Sequence, residues 1–172
     1  LMKKSNDPSA KYTSSYETLL KATYLYTGST SEVEKMYKYI VFNCLIGNGD
    51  AHLKNFALQY SSDMKNIFVS PPFDITHTLI YESIDHKMAL KLAGSKAFPD
   101  LSHLIKLAES DQFRIRNPKA IIESLSENIL DYLRASNEVQ LFDGLRTSIE
   151  LSISNVMATG LGTQHYRHDK KK

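Results

Sequence analysis

A mainly α-helical fold with a small β-hairpin insert is what this sequence predicts, on three observations. Apolar residues recur at helical spacing between residues 15 and 46 and again after Pro99. Between these stretches, residues 55–70 switch to two short β-type runs around a polar turn. Gly47 and Gly49 mark where the period changes.

At 172 residues the chain is sized for about one domain. With 42% hydrophobic and 10% aromatic residues it can bury a core, and its charge is too low and too mixed for a disordered chain. The net charge is +2, and Arg167, Lys170, Lys171 and Lys172 in the last ten residues account for the basic surplus. A general nucleic-acid-binding face is therefore not expected. The single cysteine, Cys44, excludes a disulfide framework and suits a reducing compartment. No apolar run approaches the ~18–20 residues of a membrane span. The first ten residues are polar rather than signal-like. These features predict a soluble, cytoplasmic chain with no membrane partner.

The elements follow in order. Residues 1–13 read as a loose polar lead-in and 14–162 as the folded lobe, with residues 163–172 as a basic tail. Ser14 and Glu17 have capping-box spacing and open a helix over about Ser15 to Tyr26, closed by Gly28. Ser31 and Glu34 repeat the box. Val33, Met36, Tyr37, Ile40 and Cys44 then form the stripe of a second helix reaching about Ile46. Residues 55–60 and 66–70 predict a hairpin, ended by Pro71 and Pro72, which cannot donate to a ladder. Thr78–Tyr81 and Lys87–Leu92 predict a second short pair around Asp85, closing the first part of the lobe at residue 92. The remainder, 93–162, is helical: Asp100 is a candidate N-cap, Asn117 and Pro118 open a longer helix, and Leu141 to Val156 mark a last one ending near Gly160.

The chemistry concentrates in Gly47-Asn48-Gly49-Asp50-Ala51-His52-Leu53-Lys54-Asn55-Phe56, between the second helix and the first strand. Past the hairpin comes Pro71-Pro72-Phe73-Asp74, and folding the hairpin back brings Asp74 beside Asp50 and Asn55. Phosphoryl transfer needs one carboxylate to orient the attacking hydroxyl, oxygen ligands for magnesium on the nucleotide phosphates, and a cation for developing charge. The interval from Asp50 to Asn55 matches the Asp-x-x-x-x-Asn of a kinase catalytic loop. Asp74 falls where a second metal-binding Asp follows a hairpin. Lys54 can supply positive charge, and His52 can hold the loop or contact phosphate.

Asn48-x-Asp50-x-His52-x-Lys54-Asn55-Phe56, followed by Ser70-Pro71-Pro72-Phe73-Asp74, resembles the C-terminal catalytic lobe of the HipA family of bacterial serine/threonine kinases, the toxins of HipA–HipB toxin–antitoxin systems. Tyr12-x-x-Ser15-Tyr16-Glu17 and Leu90-Lys91-Leu92 to Lys96 extend the likeness over roughly residues 11–135. The resemblance implies a kinase-like lobe. It implies Asp50 as catalytic base, Asn55 and Asp74 as magnesium ligands at the ATP phosphates, and His52 and Lys54 as catalytic-loop support. It also implies a protein substrate in translation, such as an aminoacyl-tRNA synthetase, and a helix-turn-helix antitoxin through which DNA is contacted. Asn48-Gly49 stands where ordinary protein kinases have His-Arg before the base, and Ile75-Thr76 where they have Phe-Gly after the metal Asp; both suit the HipA family.

No glycine-rich phosphate loop and no strand-borne lysine paired with a helix glutamate precedes Asp50. The expectation is that an N-lobe is supplied in cis or in trans. Two other readings stand beside phosphotransfer: a non-catalytic module that binds an antitoxin or a separate N-lobe chain, and a metal-dependent hydrolase built on Asp50, His52, Asp74 and His77. Turn chemistry alone would also place Asn, Gly and Asp at a helix end. His52, His77 and His86 lack a compact ligand spacing, and Cys44 sits on the apolar stripe as a packing residue.

Overall fold

The computed structural model of the chain describes residues 8–109 and 115–158. Five α-helices and one hairpin make up its regular structure: α1 (Tyr16–Thr27), α2 (Thr30–Leu45), β1 (Leu58–Tyr60), β2 (Ile67–Val69), α3 (Leu101–Ala108), α4 (Pro118–Ala135) and α5 (Leu145–Met157), with three short 3-10 turns between them. The mainly helical fold with a hairpin insert is thus what forms.

Helix α2 is the central element because its apolar residues go round more than one face. Val33, Met36, Tyr37, Ile40, Val41, Cys44 and Leu45 are all buried. It packs against α1, β2, α4 and α5. The Tyr37 hydroxyl donates to the Leu104 carbonyl at 3.1 Å, tying α2 to α3. Cys44 lies inside this core, where burial pushes its thiol up to about 12, so it packs and does not react. Among the described residues, no helix is long and apolar enough to cross a membrane.

The hairpin is antiparallel, with Leu58 opposite Val69 and Tyr60 opposite Ile67. Its orientation is set by Glu32 at the start of α2, whose carboxylate accepts the Val69 N–H at 2.8 Å and pairs with Lys35 at 2.6 Å. Burial works against the Glu32 charge, yet Lys35 and the Val69 N–H together hold its carboxyl below the ordinary 4.5.

Local expectations are corrected in several places. The cap of α1 is Ser15, accepting from the Thr18 N–H, rather than Ser14; that of α2 is Ser29, accepting from the Glu32 N–H, rather than Ser31. Serines cluster at both starts, and the one directly before the first helical residue, with its backbone extended, takes the role. The lead-in is not loose from Pro8 onward: Pro8–Tyr12 forms a 3-10 turn because Tyr12 packs edge-on against His52. Asn55 belongs to a second 3-10 turn, Leu53–Asn55, not to the first strand.

The second strand pair around Asp85 does not form. Residues 78–87 make successive turns, and Met88–Leu92 finds other partners: Met88 N–H donates to Lys96, Lys91 N–H to Ser14, and the Lys91 carbonyl accepts from Tyr16. Leu141 lies in a 3-10 turn ahead of α5 and is exposed, so it is not part of the last stripe. The helix end expected near Gly160 and the tail over 163–172 lie outside the described residues.

Candidate functional site

The loop starts where α2 stops. Gly47 adopts φ +71°, a conformation that side chains resist, and a Cβ there would come within 2.7 Å of Leu79. Gly49 is needed for space: a Cβ would lie 2.8 Å from the Lys87 carbonyl oxygen and 2.7 Å from the Thr78 hydroxyl. Thr78 rivets the two segments, accepting from the Gly49 N–H at 2.8 Å and donating to the Gly47 carbonyl at 3.2 Å.

Buried Asn48 is the hub of the next layer. Its Nδ2 donates to Asn43 Oδ1 at 2.7 Å. Its Oδ1 accepts the Asp50 N–H at 3.0 Å and the Thr76 hydroxyl at 3.0 Å. One amide therefore sets the backbone at Asp50 and holds the segment that follows Asp74. Asn43 is itself fixed on α2, donating to the Tyr39 carbonyl at 2.8 Å.

Tyr39 makes the second link. Its hydroxyl shares its proton between the carbonyls of Phe73 (2.7 Å) and Asn55 (3.0 Å), and accepts the Phe73 N–H at 3.2 Å. Burial and the nearby Asp74 charge push the Tyr39 hydroxyl above its ordinary 10.0, against the opposing effect of the Phe73 hydrogen bond. Asp74 sits in the left-handed region at φ +56°, a costly conformation for a non-glycine residue that aspartate tolerates better than most. The Asp50–Asn55 loop and the Asp74 turn are thus stitched together at two points.

The predicted residues occupy different environments. Asp50 is exposed, and its carboxylate accepts a long hydrogen bond from the Tyr12 hydroxyl, 3.4 Å. Asn55 is buried; its Nδ2 donates to the Asp50 carbonyl at 3.3 Å, which leaves the amide oxygen for a ligand. Asp74 and Lys54 are exposed. His52 is only 6% exposed, lies edge-on to the Tyr12 ring at 5.5 Å, and its Nδ1 has no hydrogen-bond partner. Its ring is therefore enclosed between the loop and Tyr12.

His77 is committed elsewhere. Nδ1 donates to the Ile46 carbonyl at the end of α2, and Nε2 accepts from the Ser148 hydroxyl of α5 at 2.7 Å. With both ring nitrogens engaged, the ligand set Asp50, His52, Asp74 and His77 is not assembled. Among the described residues no three His, Cys, Asp or Glu side chains are grouped for a metal. The oxygen donors Asn55 and Asp74 still fit magnesium, which takes one or two protein oxygens and completes its shell with water and phosphate.

Two outcomes follow from this geometry. Tyr39→Phe strips the Asn55 and Phe73 backbone groups of their shared partner, at a cost of about 1–3 kcal/mol. Amide exchange at Phe73 should speed up markedly, and unchanged protection there would contradict the link. Burial holds His77 below its ordinary 6.5, although the Ile46 hydrogen bond works the other way. Below about 6.5 the unfolded chain gains a proton at this ring that the folded chain resists, so stability present above that pH is lost as the pH falls through the folded value. Melts between about pH 7.5 and 5 should decline less steeply in His77→Gln. Parallel slopes would remove His77 from the account.

Comparison with known proteins then decides the family. The family described as the HipA-like C-terminal domain matches residues 1–133. The chain belongs to this family. It is 32% identical over 106 residues to a Sinorhizobium fredii protein named "Putative kinase Y4dM", covering 59% of this chain and 24% of that protein. It is 34% identical over 62 residues to "Putative kinase Y4mE" of the same organism, covering 36% of this chain and 14% of that one. Among solved structures, the Shewanella oneidensis MR-1 toxin–antitoxin complex of HipA, HipB and operator DNA matches with a TM-score of 0.59 at 16% identity, over 89% of this chain and 37% of that one. At that identity the likeness is one of fold. The HipA-like chain spans less than a quarter of the length of these two curated relatives.

Tyr39 and Asn43 carry the site's geometry although no motif in the sequence marks them, while Thr76 and Thr78 stand out only as part of the motif after Asp74 and of an expected strand. The available signal was a pair of polar residues, Tyr39 and Asn43, one helical turn apart on the otherwise apolar end of α2.

Proposed function

We propose that this chain is the catalytic-loop lobe of an ATP- and magnesium-dependent protein kinase that phosphorylates serine or threonine. The observation that carries this reading is the double stitching of the Asp50–Asn55 loop to the Asp74 turn through Asn48 and Tyr39. A turn with no chemistry to perform does not need two distant acidic segments registered by buried side chains. The relatives named as kinases point the same way.

In this reading Asp50 orients the acceptor hydroxyl and takes its proton. Asn55 and Asp74 would hold magnesium, which supplies charge neutralisation at the phosphates when bound. Lys54 offsets charge on the transferring group. His52 and Tyr12 keep the loop in place beneath and beside Asp50. The phosphate-binding lobe is contributed by another part of the same protein or by a partner. The protein substrate is proposed to belong to translation, an aminoacyl-tRNA synthetase being the type. A helix-turn-helix antitoxin is the proposed regulatory partner, with DNA contacted through it; the HipA–HipB–operator complex supports that context.

Calorimetric titration of the complete gene product with ATP tests the nucleotide side. Binding should strengthen on adding magnesium, and Asp74→Asn should weaken the magnesium-dependent part while leaving the metal-free part alone. Magnesium-independent binding, equal in wild type and variant, would overturn the assignment of Asp74.

A further inference from the structure

Asp50 is exposed, and an exposed carboxylate is free to turn about its side-chain bonds. A general base has to meet its acceptor hydroxyl within about 2.6–3.2 Å, which calls for a support that fixes its direction. The Tyr12 hydroxyl is placed to give that support. It reaches in from 38 residues upstream, on the turn ahead of α1, and donates to Asp50 Oδ1 at 3.4 Å. The bond is long, as catalytic hydrogen bonds often are before substrate tightens them. With Oδ1 engaged, Oδ2 is left for an acceptor.

Tyr12 is itself held by three side chains. Its ring stands edge-on to His52 at 5.5 Å. The ammonium groups of Lys11 and Lys96 lie 4.8 and 5.8 Å from the ring centroid, within the ~6 Å over which a cation is drawn to an aromatic face. Lys96 is brought there by the backbone. The Lys91 N–H donates to the Ser14 carbonyl at 3.2 Å and the Met88 N–H to the Lys96 carbonyl at 2.7 Å, fastening this segment to the residues just after Tyr12. Tyr12, Lys11 and Lys96 are all half-buried, so the attraction is less screened than between fully solvated groups. A ring needed only to cover His52 could be a phenylalanine. The hydroxyl and the two cations are surplus to packing, and they converge beside the candidate base.

We propose that Tyr12 is the positioning residue of Asp50: its hydroxyl holds Oδ1 so that Oδ2 meets the acceptor, and Lys11 and Lys96 act on the reaction only by steadying the Tyr12 ring. The turn ahead of α1 is thereby part of the phosphotransfer machinery. The proposal rests on the phosphotransfer reading of Asp50 and names what aims that carboxylate.

The test uses the complete gene product with ATP, magnesium and a serine peptide selected from a library for phosphorylation by the wild type. Tyr12→Phe should lower kcat by about tenfold to a hundredfold. KM for ATP and the melting temperature should stay put, because the remaining ring still covers His52. Lys96→Met should lower kcat about two- to fivefold in the wild type and not at all in Tyr12→Phe, where the link to Asp50 is already gone. An unchanged kcat in Tyr12→Phe, or a change in KM for ATP alone, overturns the proposal. A raised kcat would make Tyr12 an obstacle to the acceptor, against it. An equal cost of Lys96→Met in both backgrounds would show the lysine acting directly, also against it. Fluorine NMR of the protein labelled with 3-fluorotyrosine separates the contact from the chemistry. The Tyr12 resonance, assigned by its loss in Tyr12→Phe, should move in Asp50→Ala. Movement without phosphorylation of any library peptide would keep the hold on Asp50 and sink the phosphotransfer reading. Phosphorylation with no movement would sink the positioning role alone, and absence of both would sink the two together.

Discussion

Asp50→Asn should lower kcat of the complete gene product by about 10²–10⁴, the usual contribution of a general base, while the melting temperature stays close to wild type. The structure explains why the two readouts separate. The Asp50 side chain is exposed and its one hydrogen bond, from Tyr12, is long, so an isosteric amide removes little that holds the fold together. Its backbone N–H, which does matter to the loop, still donates to Asn48. What the amide cannot do is accept a proton from an acceptor hydroxyl. A helix-terminal turn without catalysis predicts the reverse pattern, with a stability loss of about 0.5–2 kcal/mol and no kinetic effect. Measuring both quantities on one sample of the variant discriminates between them.

Asn48→Ala should be the most damaging single change to the fold around the site. It leaves Asn43 Oδ1, the Asp50 N–H and the Thr76 hydroxyl without their present partner, and each unsatisfied buried group costs about 1–3 kcal/mol. Allowing water to reach the exposed Thr76, the expected loss is about 2–4 kcal/mol, or roughly 5–15 °C in melting temperature. Activity should fall with it, because the segment after Asp74 loses its register with the loop. Asn48→Asp distinguishes hydrogen bonding from packing. It keeps the acceptor for Asp50 and Thr76 but places a carboxylate against the Asn43 oxygen, so it should recover little of the stability. A variant Asn48→Ala as stable as wild type would show that the hub is not what holds the loop.

The parts of the fold that could be read from the sequence are those governed by local periodicity. The Val33–Cys44 stripe specifies α2 because its residues recur at helical spacing whatever the neighbours are. Gly28 and Asp100 end or open helices through their own backbone and side-chain chemistry. The errors arose where several residues could do the same job or where tertiary partners decided the outcome. Ser14 and Ser15, and Ser29 and Ser31, are equally good caps as residue types, and only the backbone conformation at each start chooses between them. Met88–Leu92 alternates like a strand, yet its hydrogen bonds go to Ser14, Tyr16 and Lys96, partners that no local window contains.

The same division holds within the site. Asp50, Asn55 and Asp74 stand out because ionisable and amide residues crowd into positions where only a turn was needed. Tyr39 and Asn43 are invisible to that argument, since a polar residue on a helix is ordinarily a solvated one. Their role follows from burial at the α2 terminus, which forces each polar group to find a partner. His77 illustrates the opposite risk. It is a plausible metal ligand by residue type, but the Ile46 carbonyl and the Ser148 hydroxyl already occupy its nitrogens.

The measurement that bears most directly on the phosphotransfer reading is phosphate transfer itself. The complete gene product, incubated with ATP, magnesium and candidate protein substrates, should yield phosphoserine or phosphothreonine by mass spectrometry. The signal should vanish without magnesium and drop by at least about 10²-fold in Asp50→Asn. Equal phosphorylation by wild type and Asp50→Asn, or its absence from a wild-type protein that binds magnesium–ATP, would contradict the reading.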